Sequence, residues 1–190
     1  LHLSVHSFPT RRSSDLTNTV RVFGWPAGVA VIFIDIAKGA CAVLFISRLP
    51  LMGNLESPLF SADTTALIAG LSAVCGHIWT LFASFRGGKG VATAAGMVAA
   101  LYPAGFSITF IIFVVTLVTT GIVSVGSLTA AVFFPIVLFV LKGSGISEVS
   151  PLLLWISLPI SLLILFTHRK NLARLVRGEE KRLFKRDKTG

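Results

Sequence analysis

An all-α polytopic membrane protein with about six transmembrane helices, one of them short, is the fold class this sequence predicts, and three observations predict it. Mean hydropathy is +0.84, and hydrophobic residues make up 54% of the chain against 13% charged, a balance foreign to a soluble domain of 190 residues. Apolar stretches recur at residues 29–47, 65–85, 104–123, 125–141 and 151–167, each near the roughly 20 residues that cross about 30 Å of hydrocarbon. The net charge of +9 comes largely from cations at the edges of these stretches. That is the pattern of membrane topology, so the basic balance does not point to nucleic acid.

In chain order, HSFPTRRSSDL (6–16) fits neither a helix nor a signal peptide, for it lacks an apolar middle. It matches one reading frame of a widely used sequencing-library adapter. Residues 1–16 are therefore expected to be a non-native leader, with the authentic chain, a single domain over 17–190, beginning near Thr17. TNTVR then offers Thr17, Asn18 and Arg21 just before the first span. Within residues 29–47, Asp35 and Lys38 share a helix face at a spacing of three; they can neutralise each other, or serve a function as ionisable groups at membrane depth. The segment 65–85 carries His77, either a hydrogen-bonded packing residue or a working one. Val91–Leu101 is too short for an ordinary span and reads as a partial helix. The basic tail from 168 and the FRGGKG turn are the densest cationic runs, so both belong on the cytoplasmic side. Cys41 and Cys75 lie in apolar spans as small hydrophobes, and no disulfide, metal or organic cofactor is expected.

The polar residues left over gather at one membrane face. In FRGGKG, Arg86 and Lys89 supply charge while Gly87, Gly88 and Gly90 let backbone amides approach an anion, and a helix starting at Val91 aims its positive end at the same place. This is the composition of a phosphate site, although the Walker pattern is absent. His168, Asn171 and Arg174 recur every three residues and share a face if helical, a set suited to oxyanions. The bland alternative for that tail is a basic helix resting on anionic headgroups. Ser124 and Ser127 sit at the inner end of another span.

Taken in order, these motifs resemble the bacterial acyl-phosphate-dependent glycerol-3-phosphate acyltransferases, the PlsY family. The resemblance runs from about Thr17 to the tail. It rests on Asp35, Lys38 and Gly39; on Gly76, His77, Phe82, Phe85, Gly87, Gly88, Lys89, Gly90 and Ala92; and on His168, Arg169, Asn171, Arg174, Leu175, Gly178 and Glu180. Of the family's Gly-Ser-Gly-Asn loop and following Thr-Asn-x-x-Arg, only Thr17, Asn18 and Arg21 match. The resemblance thus implies a seven-helix inner-membrane enzyme of which this chain holds about six helices, with weak or no activity expected for the chain as written.

The reaction implied moves an acyl group from acyl phosphate to the 1-hydroxyl of sn-glycerol 3-phosphate, forming lysophosphatidic acid for phospholipid synthesis at the cytoplasmic face of the bacterial inner membrane. It also implies a functional link to an enzyme that forms acyl phosphate. Lys89 and the backbone of Gly87, Gly88 and Gly90 would hold a phosphate, with Arg86 adding charge and His77 nearby. Arg21, Asn171 and Arg174 would orient glycerol phosphate, and Thr17, Asn18, Lys38, Ser124 and Ser127 would complete the substrate site. His168 or the substrate's own phosphate would take the hydroxyl proton. The alternative is a membrane transporter or channel for an organic anion. Such folds often carry internal repeats, and none is visible in this sequence.

Overall fold

The computed structural model describes residues 16–49, 61–80, 85 and 87–183, with the side chains of positions 16–19, 21 and 22 outside that description. The predicted leader, apart from the backbone of Leu16, lies outside the described residues, as do Phe82, Arg86 and the side chains of Thr17, Asn18 and Arg21.

The described residues fold into helices α1 (Leu16–Leu44), α2 (Ala62–Ile78), α3 (Val91–Leu101), α4 (Pro103–Thr120), α5 (Val123–Gly143), α6 (Pro151–Thr167) and α7 (Arg169–Val176), with one 3-10 turn at Ile46–Arg48. All six apolar segments read from the sequence are present as helices. Phe23–Arg48, α4 and α5 are long and apolar enough to cross a bilayer, and the bent pair α6–α7 adds a fourth span if taken as one. Helices α2 and α3 are shorter apolar helices.

Local chemistry sets the ends. Pro103 and Pro151 occupy the first helical positions of α4 and α6, where the missing N–H costs nothing. Gly121, left-handed at φ 70°, closes α4 by donating its N–H to Leu117 O at 2.7 Å. At Gly24, φ 82° and ψ 174° break α1, so the TNTVR segment is set off from the apolar span that follows.

One boundary differs from the sequence reading: the span expected over 65–85 ends as a helix at Ile78. The cause is a return of the chain onto the helix end. Gly87 N donates to Ile78 O at 3.0 Å and Gly88 N to His77 O at 3.1 Å, satisfying carbonyls that a continuing helix would have used.

Helix α3 lies against α1, α2 and α4, while α5 packs between α4 and α6. Contact between α1 and α3 is backbone-close, since a Cβ on Gly39 would overlap Thr93 O and one on Gly96 would overlap Ile36 O. Small residues substitute for hydrophobic drive where helices meet in lipid, by bringing the main chains into van der Waals range. The buried core centres on Met97 and Leu138, both 0% exposed, together with Tyr102, Phe134, Val137 and Leu153.

Candidate active site

The connection between α2 and α3 builds one wall. After the glycine strand has capped α2, Gly90 turns left-handed (φ 81°) and serves as the N-cap of α3, its carbonyl accepting Ala94 N at 2.8 Å. The first amides of α3 have no intrahelical acceptor and carry the positive end of the helix dipole. Lys89 stands just ahead of them, and its carbonyl accepts the Thr167 hydroxyl at 3.1 Å, which fastens this wall to the end of α6. The sequence reading had Gly87 and Gly88 aim their amides at an anion. The structure commits both to carbonyls of α2, while Gly90, Val91 and Ala92 border the site's cavity.

A second wall, joined to the first through Thr167, is the turn from α6 into α7. The two helices bend by 57° at His168, which is 1% exposed. His168 Nδ1 lies 2.8 Å from Ile164 O. A carbonyl can only accept, so Nδ1 carries the proton and the basic lone pair of the neutral ring sits on Nε2. One turn on, Asn171 is 4% exposed.

The chain beyond α7 then folds back, with Leu183 N bonded to Gly121 O at 2.6 Å, and delivers Glu180 into the site. Its carboxylate accepts from Ser124 Oγ at 2.8 Å, Asn171 Nδ2 at 2.6 Å and Arg174 Nε at 2.6 Å. Burial pushes this carboxyl up, but the hydrogen bonds from Arg174, Ser124 and Asn171 outweigh it and hold the group below its ordinary value of 4.5.

Between the walls lies a cavity of about 510 Å³. At one end it is lined by Asp35, His77, Lys89, Ser124, Ser127, His168, Asn171 and Glu180. The rest is apolar, running between α1, α3, α4, α5 and α6 past Ile32, Val98, Phe106, Phe110, Phe113, Phe134 and Ile160. Phe106, Phe110 and Phe113 stack successively along α4 at 5.5 and 6.2 Å between centroids.

Of the residues singled out by sequence, His77, Lys89, Gly90, Ser124, Ser127, His168 and Asn171 all border this cavity, and Arg174 reaches its edge through Glu180. Ser127 Oγ donates to Val123 O at 3.0 Å. Lys38 is not among the lining residues: its ammonium bonds Asp35 at 2.9 Å, with the side chain 55% exposed. Five polar lining residues, Asp35, Thr109, Ser161, Glu180 and Lys181, were not among the substrate residues named from sequence. Asp35 had been read as the partner of Lys38 and Glu180 only as a motif position, and both motifs offered the signal. Ser161, 6% exposed, gave none.

The profile of the family described as glycerol-3-phosphate acyltransferase matches residues 11–178. The chain belongs to this family. A glycerol-3-phosphate acyltransferase from Chlorobaculum parvum is 41% identical over 187 residues, covering 88% of this chain and 79% of the relative. One from Salinibacter ruber is 38% identical over 172 residues, covering 88% and 75%. Two crystal structures of PlsY, an integral membrane glycerol 3-phosphate acyltransferase, have the same fold. The glycerol 3-phosphate form superposes with a TM-score of 0.73 at 30% identity, over 88% of this chain and 76% of that one. For the lysophosphatidic acid form the TM-score is 0.72 at 31% identity, over 88% and 78%. The family's membership, the apolar helices and the integral membrane neighbours make the chain a multi-pass membrane acyltransferase.

Proposed function

We propose that the protein transfers an acyl group from acyl phosphate to the 1-hydroxyl of sn-glycerol 3-phosphate, releasing lysophosphatidic acid and phosphate at the cytoplasmic face of the bacterial inner membrane. The observation that carries this reading is one cavity that joins a polar end, bordered by Lys89, the start of α3, His168 and Asn171, to an apolar body. Both substrates present a phosphate to such an end, and one must keep its acyl chain out of water. The relatives named for glycerol 3-phosphate support the acceptor, and the family resemblance supports the donor.

In the proposed reaction Lys89 and the first amides of α3 hold the acyl phosphate's headgroup, while the acyl chain lies along the phenylalanines of α4. Asn171 and Arg174, placed by Glu180, orient glycerol phosphate together with Ser124 and with Thr17, Asn18, Arg21 and Arg86. The hydroxyl oxygen attacks the acyl carbon, forming the ester bond, and the anhydride C–O bond breaks with its electron pair leaving on phosphate. The hydroxyl proton has two acceptors, His168 Nε2 and a phosphate oxygen. Because the mixed anhydride is already activated, positioning and charge stabilisation can lower most of the barrier without a protein nucleophile.

Purified full-length protein in detergent tests this. Phosphate should be released from palmitoyl phosphate only when glycerol 3-phosphate is added, with lysophosphatidic acid appearing in equal amount. A transporter would show nothing without a sealed vesicle. Lys89→Ala should lower turnover by about 100- to 1,000-fold, as loss of a preorganised charge stabiliser does. Full activity in that variant, or transfer from an acyl thioester in preference to acyl phosphate, would sink the reading.

A further inference from the structure

We propose that Asp35 and His77 form a positioning pair for the anion cradle. The carboxylate of α1 fixes the imidazole at the end of α2, and the imidazole is the seat on which Gly88, and with it Lys89, rests. The kinetic consequence rests on the acyl-transfer reading above; the structural consequence does not.

His77 Nδ1 stands 3.4 Å from Asp35 Oδ1, and the same oxygen accepts Lys38 Nζ at 2.9 Å. The Asp35 and His77 side chains are 14% and 15% exposed. A carboxylate at membrane depth needs compensation, and Lys38 already supplies a full opposite charge. His77 is therefore not required for neutrality, and what the Asp35 contact adds is the orientation of the ring.

With Nδ1 turned to Asp35, the far edge of the imidazole faces Gly88. A Cβ on Gly88 would overlap His77 Nε2 and lie 3.0 Å from Cε1 and 3.1 Å from Cδ2. The main-chain carbonyl of His77 meanwhile accepts Gly88 N. One residue thus holds Gly88 from two sides, by its backbone and by its ring. Lys89 follows directly, its own carbonyl tied to Thr167. A rotation of the imidazole would shift the glycine strand and the lysine together. With its ring edge toward Gly88, His77 is assigned as a positioning residue that acts through the glycine strand.

The test combines kinetics with hydrogen exchange on the full-length protein in detergent. Asp35→Ala should raise KM for palmitoyl phosphate about 10- to 100-fold, the scale of a misplacement near 1 Å. Asp35→Asn keeps the accepting oxygen and should recover most of that loss. The double variant Asp35→Ala with His77→Ala should be no worse than His77→Ala alone, since the two residues act as one unit. Amides in peptides covering 85–93 should exchange faster in Asp35→Ala, with α5 unchanged. Additive losses, or wild-type exchange over 85–93, overturn the proposal. If Asp35→Ala does not accumulate in the membrane, His77→Ala must show the same local exchange, and normal protection there also overturns it. Should the parent not turn over palmitoyl phosphate at all, the acyl-transfer reading fails while the exchange result still decides the pair.

Discussion

The two walls of the cavity's polar end are built by different means. On the α2–α3 side, position comes from main chain: two glycine amides on two carbonyls, and the Lys89 carbonyl under a threonine hydroxyl. On the α6–α7 side it comes from side chains, with Glu180 gathering Ser124 of α5 and Asn171 and Arg174 of α7. The first wall should therefore fail when volume is added to it. The second should tolerate volume but fail when charge or a hydrogen bond is removed.

The largest effect should come from adding one carbon to the first wall. A Cβ on Gly87 would overlap His77 O and approach Ile78 O to 2.8 Å. Both are backbone atoms of a packed helix end and have little room to move. Relief requires lifting the strand from α2, which breaks two amide–carbonyl bonds between partly buried groups, at about 1 kcal/mol each. Gly87→Ala is expected to lose at least about 100-fold in turnover, because Lys89 moves with the strand. Gly76 has nothing within 4 Å of its would-be Cβ and sits inside α2. Gly76→Ala should keep parental activity and gain about 0.5–1 kcal/mol of helix stability. Thermal midpoints and acyl-transfer rates on the pair check both, and the reverse order would break the contrast.

This pair also shows what sequence could and could not disclose. Hydropathy is local, so six apolar segments and the shortness of Val91–Leu101 were legible. The end of α2 at Ile78 was not, because no proline or glycine follows it directly; Gly87 and Gly88, nine and ten positions further along, stop it. The glycines of GGKG read as anion-binding from composition alone, whereas the amides of Gly87 and Gly88 bond carbonyls at the end of α2, a fact set by how the chain doubles back. Lys89, His168 and Asn171 were found because intramembrane and interfacial polar groups are conspicuous against lipid-facing neighbours. Glu180 was passed over for the converse reason. In a charged tail a glutamate looks solvated, and only the fold brings it to Ser124, 56 residues away.

On the second wall, Glu180→Gln should be the more damaging change. A glutamine oxygen can still accept from Ser124 and Asn171, but its amide turns a donor toward Arg174 Nε, also a donor. Loss of that one charge-assisted bond costs about 1.5 kcal/mol, close to tenfold in activity. The pH dependence sharpens this. Because the folded carboxyl is the stronger acid, its contribution to stability is fully present above its ordinary value of 4.5 and disappears as pH falls through the lowered folded value. Thermal midpoints taken from about pH 7 to about pH 3 should fall toward acid in the parent, and the glutamine variant should lack that component. Identical acid profiles would remove Glu180 as the organiser of this wall.

The smallest effect should belong to Ser124, and it separates the two walls most finely. Its hydroxyl is one of three donors to Glu180 and is buried, at 5% exposure. Ser124→Ala removes that donor while Asn171 and Arg174 continue to hold the carboxylate, so no buried charge is left without a partner. The expected loss is about 1 kcal/mol, a few-fold in KM for glycerol 3-phosphate. KM for palmitoyl phosphate, whose headgroup is assigned to Lys89 and the start of α3, should not move. Ser124→Thr keeps the hydroxyl and should restore the parental value. If Ser124→Ala instead weakens both substrates equally, the two phosphates share one subsite, and the division of labour between a backbone wall and a side-chain wall does not hold.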